Sequence, residues 1–282
     1  VFDLRYHVAS LAAVFIALVI GILVGVGLSG RGVLREAERE SLEVRIADLQ
    51  RQAELQQARI EELSAAAQYE QETYEAVMDR RLENVRIALV FIGPVDTAVR
   101  SVVDDAVDRA GGAITRTRAL KVPMDALEVQ NALADLADAP SRLQDVGRTL
   151  ASEFLNGGET PIWDELDDLI VLERLPGPSG AVDAVIVARN TDPQSGGTAQ
   201  LLGGFYNGLA SAGRPAVAVE TGGDRDGSLR FLRRYFPSSV DNVDAPTGRV
   251  SLAVLLSGAQ TGHYGVEGEN GYLPRVPPLQ RG

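Results

Sequence analysis

The sequence predicts an α/β protein preceded by a long helical N-terminal region. Three observations predict it. Residues 8–28 form an almost unbroken apolar run, and residues 31–83 are charged and free of proline. From residue 85 onward, short β-rich runs alternate with stretches of helical periodicity. The implied organisation is a membrane anchor over 1–30, a stalk over 31–84, an α/β domain over 85–261 and a Gly/Pro-rich tail over 262–282. A mean hydropathy near zero and a hydrophobic content of 45% average over these unlike parts.

Within 8–28, Ser10 is the only polar side chain. A helix over that run spans about 31 Å, the thickness of a bilayer's hydrocarbon core. Arg5, Tyr6 and His7 on one side and Arg31 on the other stand where interfacial anchors belong. The run exceeds the core of a cleavable signal peptide, and no A-x-A site follows it. A single transmembrane helix is therefore expected. Ala9, Ala13, Ala17, Gly21 and Gly25, continued by Ser29, recur at every fourth position. Such a stripe of small side chains lets two helix backbones approach closely, which predicts a homodimer or higher oligomer within a lipid bilayer. Arg5 before the run is outnumbered by Arg31, Arg35 and Arg39 after it, a balance that by itself would leave the C-terminal part in the cytoplasm.

Glu, Arg, Gln and Ala dominate 31–83, with no glycine after Gly32. Leu42, Ile46, Leu49, Ala53, Ile60, Leu63 and Ala67 follow alternating spacings of four and three, with Gln56 at one seam position. That is a heptad pattern, and it predicts a parallel coiled-coil stalk about 75–80 Å long. The alternative is a solvated single helix, since Ala53, Gln56 and Glu70 weaken the seam.

Residues 85–92, VRIALVFI, read as a strand ended by Gly93-Pro94. Asp96 can cap a following helix that places Val99, Val102, Val103, Ala106 and Val107 on one face. Gly111-Gly112 stops it before a second strand at 113–120. Two helices are expected within 124–155, separated by Pro140, and a loop around Pro176-Gly177-Pro178. Strands at 181–188, 215–220 and near Val240 then alternate with helices at 198–212, 228–235 and 247–256. This alternation predicts a Rossmann-like, doubly wound and mostly parallel sheet. The tail from Gly262, with Pro274, Pro277 and Pro278, is expected to be irregular.

Composition narrows the chemistry. A net charge of −12 and a pI near 4.7 argue against a nucleic-acid partner, which needs clustered cations. With no cysteine, two methionines and two histidines, soft metal ligands are scarce and thiolate chemistry is excluded. No G-x-S-x-G elbow, H-x-x-x-H pair or EF-hand loop occurs, and Glu165, Asp167 and Asp168 read as an acidic surface run. No enzyme activity, cofactor or resident metal site is expected. His263 alone reads as a turn or surface residue.

Three strand ends carry polar residues where open parallel sheets gather ligands: 93–96, 189–192 and 220–224. Ser195-Gly196-Gly197-Thr198 has the composition of a phosphate cradle, though helix caps and tight turns use the same residue types. Gly203, Gly204 and Gly208 fall inside a predicted helix and are expected to permit close packing.

The opening segment FDLRYHVASLAAVF at 2–15 with its Gly21-xxx-Gly25 continuation, VDNVDAPTG at 240–248 and GHYG at 262–265 resemble the actinobacterial MctB family of copper transporters. The resemblance extends over essentially the whole chain. It implies a cell-envelope protein of copper transport and homeostasis, described for mycobacteria as an outer-membrane, pore-associated protein. It also implies a single-pass anchor with the α/β domain outside the cytoplasm, and copper ions as the species handled. Two alternatives stay open on the residues alone. One is a structural envelope scaffold presenting a partner-binding domain; the other is a degenerate nucleotide- or sugar-binding domain.

Overall fold

The computed structural model describes residues 4–175, 180–222 and 228–278, with the side chains of 4–10, 27–40 and 66–67 left aside. The chain divides into two compact units, Val1–Glu70 and Gln71–Gly282. Ala9, Ser29, Ala67, the loop at 176–178 and residues Gly223 and Asp224 lie outside what is described.

The first unit consists of helix α1 (Leu4–Met78) up to Glu70. Here two expectations are corrected. Among the described residues no helix is long and apolar enough to cross a membrane. Nor is a coiled-coil stalk shown: Leu42, Ile46, Leu49, Ile60 and Leu63 stand 53–64% exposed on a single helix. A heptad seam is stable only when each knob enters a hole on a second helix, and none of these side chains is so covered.

In the second unit the alternating pattern produces a seven-stranded sheet. Its strands are β1 (Arg86–Ile92), β2 (Ala113–Leu120), β3 (Val171–Leu175), β4 (Ala184–Arg189), β5 (Ala216–Val219), β6 (Ser238–Val240) and β7 (Gly262–Tyr264). The order is β3-β2-β1-β4-β5-β6-β7, parallel throughout except for the antiparallel edge pair β2/β3. The α/β expectation holds for this unit, and the sheet is doubly wound.

Period-two alternation divides β1 between two cores. Ala88, Val90 and Ile92 face one side and Ile87, Leu89 and Phe91 the other. The first side is covered by α3 (Ala126–Ala132), α4 (Leu143–Asn156), α5 (Pro161–Ile170), α6 (Gly196–Ala210) and α7 (Ser228–Leu232). The second is covered by α2 (Thr97–Arg109), α8 (Pro246–Leu256) and the last turns of α1, which bury Tyr74 and Met78. Asp96 caps α2 as expected, accepting from Ala98 N and Val99 N.

The α4–α6 crossing depends on close backbone approach. A Cβ on Gly147 would overlap the carbonyl oxygen of Leu201, and one on Gly204 would overlap that of Gln144. Gly208 meets Ala151 in the same way, whereas Gly203 has only Tyr235 Oη within reach, at 3.7 Å.

Two elements depart from the sequence reading. Residues 161–175, where the sequence suggested only the acidic surface run of Glu165, Asp167 and Asp168, form α5 and β3. Pro161 opens α5, and the Glu153 carboxylate reaches from α4 to accept from Ile162 N and Trp163 N. Trp163, Leu166 and Ile170 are buried while Asp167 pairs with Arg174, so the acidic run is the outer face of an amphipathic helix. The tail is the second departure. It was expected to be irregular from Gly262, yet Gly262–Tyr264 is the seventh strand, in parallel register with Ser238–Val240.

Candidate functional site

The short pair β6/β7 brings together segments far apart in sequence. Three residues of β7 alone cannot hold an edge strand, and the polar groups around Asp241 show what does. Asp241 follows β6 and is 7% exposed. Its carboxylate accepts from Val266 N at 2.6 Å and from Glu267 N at 2.7 Å, just beyond β7. Arg233 Nη2 donates to Asp241 Oδ2 at 3.1 Å, Nη1 to the carbonyl oxygen of Glu267 at 3.0 Å, and Nε to Ser239 Oγ at 3.1 Å. Each group thus ties β6, α7 and the turn after β7 to one another.

Ser239 Oγ also lies 3.0 Å from His263 Nδ1. The serine oxygen accepts from Arg233 Nε and shares a hydrogen bond with His263 Nδ1 whose direction follows the imidazole tautomer. The histidine's pKa is lowered from its ordinary value, first by burial and then by the Arg233 charge, with Glu269 acting in the opposite sense. Asn270 Oδ1 accepts from His263 N and fixes the strand's start. His263, read from sequence as a surface or turn residue, is therefore half-buried in a hydrogen-bonded chain.

Backbone shape completes the knot. Gly265 has φ +128°, and a Cβ there would overlap Asp241 Oδ1. A Cβ on Gly248 would overlap the carbonyl oxygen of Asn242, so α8 starts against the 241–243 turn. Asn242 Nδ2 in turn donates to Thr247 Oγ1. Beside this knot lies an open groove of about 740 Å³ lined by Arg230, Arg233, Arg234, His263, Glu267 and Glu269.

The strand-end residues singled out from sequence fall elsewhere. The order of strands reverses between β1 and β4, the usual ligand crevice of such sheets. Here the two loops close on each other: Asn190 Nδ2 donates to the carbonyl oxygen of Pro94, and Gly93 abuts Thr191. In the third loop Gly222 N donates to Asp244 Oδ1. The Ser195–Thr198 turn is taken up in packing, with Thr198 Oγ1 bonded to both Met124 N and O and Gly197 against Ala126. On α1, Ala13, Ala17, Gly21 and Gly25 are exposed, and a Cβ on Gly21 or Gly25 would meet nothing within 4 Å. Among the described residues no group of three or more His, Asp or Glu side chains is placed to hold a metal ion. Sequence reasoning missed Arg233, Ser239 and Asp241, which share no motif spacing.

Fold and site together define a class: an α/β protein behind a long N-terminal helix, whose last sheet strand is locked by a buried carboxylate–guanidinium pair. The chain belongs to the MctB family, described as "Copper transport outer membrane protein, MctB", whose model matches residues 1–274. It is similar to the copper transporter MctB of Mycobacterium bovis and to that of Mycobacterium tuberculosis. Each is 24% identical over 314 aligned positions, covering 93% of this chain and 96% of the relative. Two segments that carried the resemblance, 240–248 and 262–265, are the ones the Asp241 knot joins.

Proposed function

We propose that this chain serves copper transport or homeostasis at the cell envelope, without catalytic turnover. The observation that carries the reading is the family match over 1–274, which takes in both the long N-terminal helix and the β6–β7 knot. Handling of copper by this chain is read as indirect. Met78 and Met124 are buried in the two cores, and His263 Nδ1 is engaged with Ser239. Soft donors are what tight copper sites use. The polar groups of the knot are spent on one another, which favours a shape-holding role over a reactive one.

The same reading makes the chain a homodimer that meets through Ala13, Ala17, Gly21 and Gly25. Their exposure and the open space over both glycines favour close approach of a second backbone, since helix separation follows the size of the side chains at the contact. Gly21→Ile and Gly25→Ile are expected to weaken cross-linking between copies, and unchanged cross-linking overturns the dimer.

The deciding experiment is a deletion strain. Altered copper sensitivity and altered intracellular copper, restored by the intact gene, are expected. Unchanged values of both overturn the copper reading.

A further inference from the structure

Arg189, the last residue of β4, points to the α6–α7 side of the sheet and is 5% exposed. Its guanidinium lies 4.4 Å from the centroid of the Phe231 ring, and Nε donates to the carbonyl oxygen of Thr191 at 2.8 Å. Among the described residues Nη1 and Nη2 have no hydrogen-bond partner. A guanidinium carries five N–H donors, so four of them are buried and unmet. The hydroxyl of Tyr206, a residue 1% exposed, is also unpartnered. Burial pushes that hydroxyl's pKa well above the usual tyrosine range, with the Arg189 charge acting against it, so it stays a donor.

Arg189, Gln194, Tyr206, Phe231 and Tyr235 line a cavity of about 100 Å³ beside the first turns of α6. By a measure that allots about 10–15 Å³ to one water, this holds a group of several heavy atoms. The helix opens with no side-chain cap hydrogen bond from Ser195. Leaving a buried donor unmet is costly, more so for a charged one. The unmet groups are donors on one cation and one phenol, so their complement is an acceptor-only anion, and the planar fork matches two oxygens on one centre. Phe231 balances the charge from one face only, since a ring cannot satisfy in-plane N–H groups.

We infer that the Arg189 cavity binds the oxyanion of a small molecule, a carboxylate or phosphate group held by the Arg189 fork and the Tyr206 hydroxyl. The site is separate from the β6–β7 knot, although Phe231 in α7 lines the one and Arg233, the residue after α7, belongs to the other. Calorimetric titration of the full chain in non-ionic detergent, at constant ionic strength, tests it with inorganic phosphate and with acetate. Saturable binding of phosphate alone assigns a phosphoryl ligand, of acetate alone a carboxylate, and of both a site for either. Arg189→Gln is expected to weaken binding at least about tenfold. Tyr206→Phe removes only an unpaired hydroxyl and is expected to weaken it several-fold with the fold intact. That variant decides the matter if Arg189→Gln does not fold. No saturable binding of either anion, or Tyr206→Phe binding as the wild type does, overturns the inference. Neither result bears on copper in the deletion strain.

Discussion

Arg233 and Asp241 form the most buried ion pair among the described residues, their side chains 15% and 7% exposed and Nη2–Oδ2 3.1 Å apart. Every nitrogen and oxygen of the pair has a partner: the carboxylate also takes two backbone N–H groups and the guanidinium a serine and a carbonyl. Satisfied in this way, it escapes the usual penalty of a buried charge pair, and losing one member exposes that penalty.

Asp241→Asn should therefore be severe for an isosteric change. Whichever way the amide turns, its NH2 faces a donor, either Val266 N or the Glu267 N–H and Arg233. A loss of about 2–4 kcal/mol is expected in denaturant unfolding. Asp192→Asn, at an exposed loop position, should stay within about 0.5 kcal/mol. Equal effects of the two would show that the knot contributes nothing.

His263 makes the knot pH-sensitive. Its folded pKa is lowered, so between that value and the unfolded ~6.5 the unfolded chain binds more protons. Stability then rises with pH in that window. The contribution is complete above about 6.5 and is lost as pH falls through the folded pKa. Melting temperatures from pH 7.5 to 5 should fall more steeply for the wild type than for His263→Gln. Parallel curves would remove His263 from the account.

Gly265→Ala and Gly271→Ala separate steric overlap from backbone strain. Both positions have positive φ, +128° and +92°, but only the first sets a Cβ against Asp241; nothing lies within 4 Å of the second. Gly271→Ala should cost about 1–2 kcal/mol and Gly265→Ala more than about 3 kcal/mol. Unfolding midpoints compared at constant m-value give the difference.

Adjacent glycines in α6 should respond with opposite signs. Gly204→Ala forces a methyl into the carbonyl of Gln144 and is expected to destabilise strongly. Gly203→Ala has room beside Tyr235 Oη and should stabilise by about 0.5–1 kcal/mol through helix propensity. Thermal unfolding of the two variants checks the pair.

Period and punctuation made the sheet legible. The two-sided apolar run of β1, the Asp96 cap and the glycines after α2 each state a local preference that packing reinforces. α5 was hidden because Glu165, Asp167 and Asp168 drew the eye from Trp163, Leu166 and Ile170, whose three- and four-residue spacing carries the helix. β3 has no alternation to read, being an edge strand with Leu172, Glu173 and Arg174 exposed. β7 is three residues long and begins with glycine; its register comes from Asp241, more than twenty positions earlier, so no local pattern announces it. The apolar run and heptad spacings of α1 were legible as pattern. Among the described residues, however, no helix is long and apolar enough to cross a membrane, and the seam positions stand exposed, because covering them takes a partner that no local spacing supplies. Arg189 was noticed as part of a polar strand end, but its stacking on Phe231 depends on where α7 returns.

The Asp241 carboxylate meets its backbone partners at Val266 and Glu267, so the β7 edge of the sheet closes only once residue 267 has been made. A nascent chain that has emerged only as far as α8 already holds β6 yet lacks every group that will cap its edge. Until residue 267 has been made, that edge is an open row of amide and carbonyl groups beside an Arg233–Asp241 pair that still lacks its backbone partners. Emergence of residues 262–267 thereby becomes the event that converts an open edge into a sealed one.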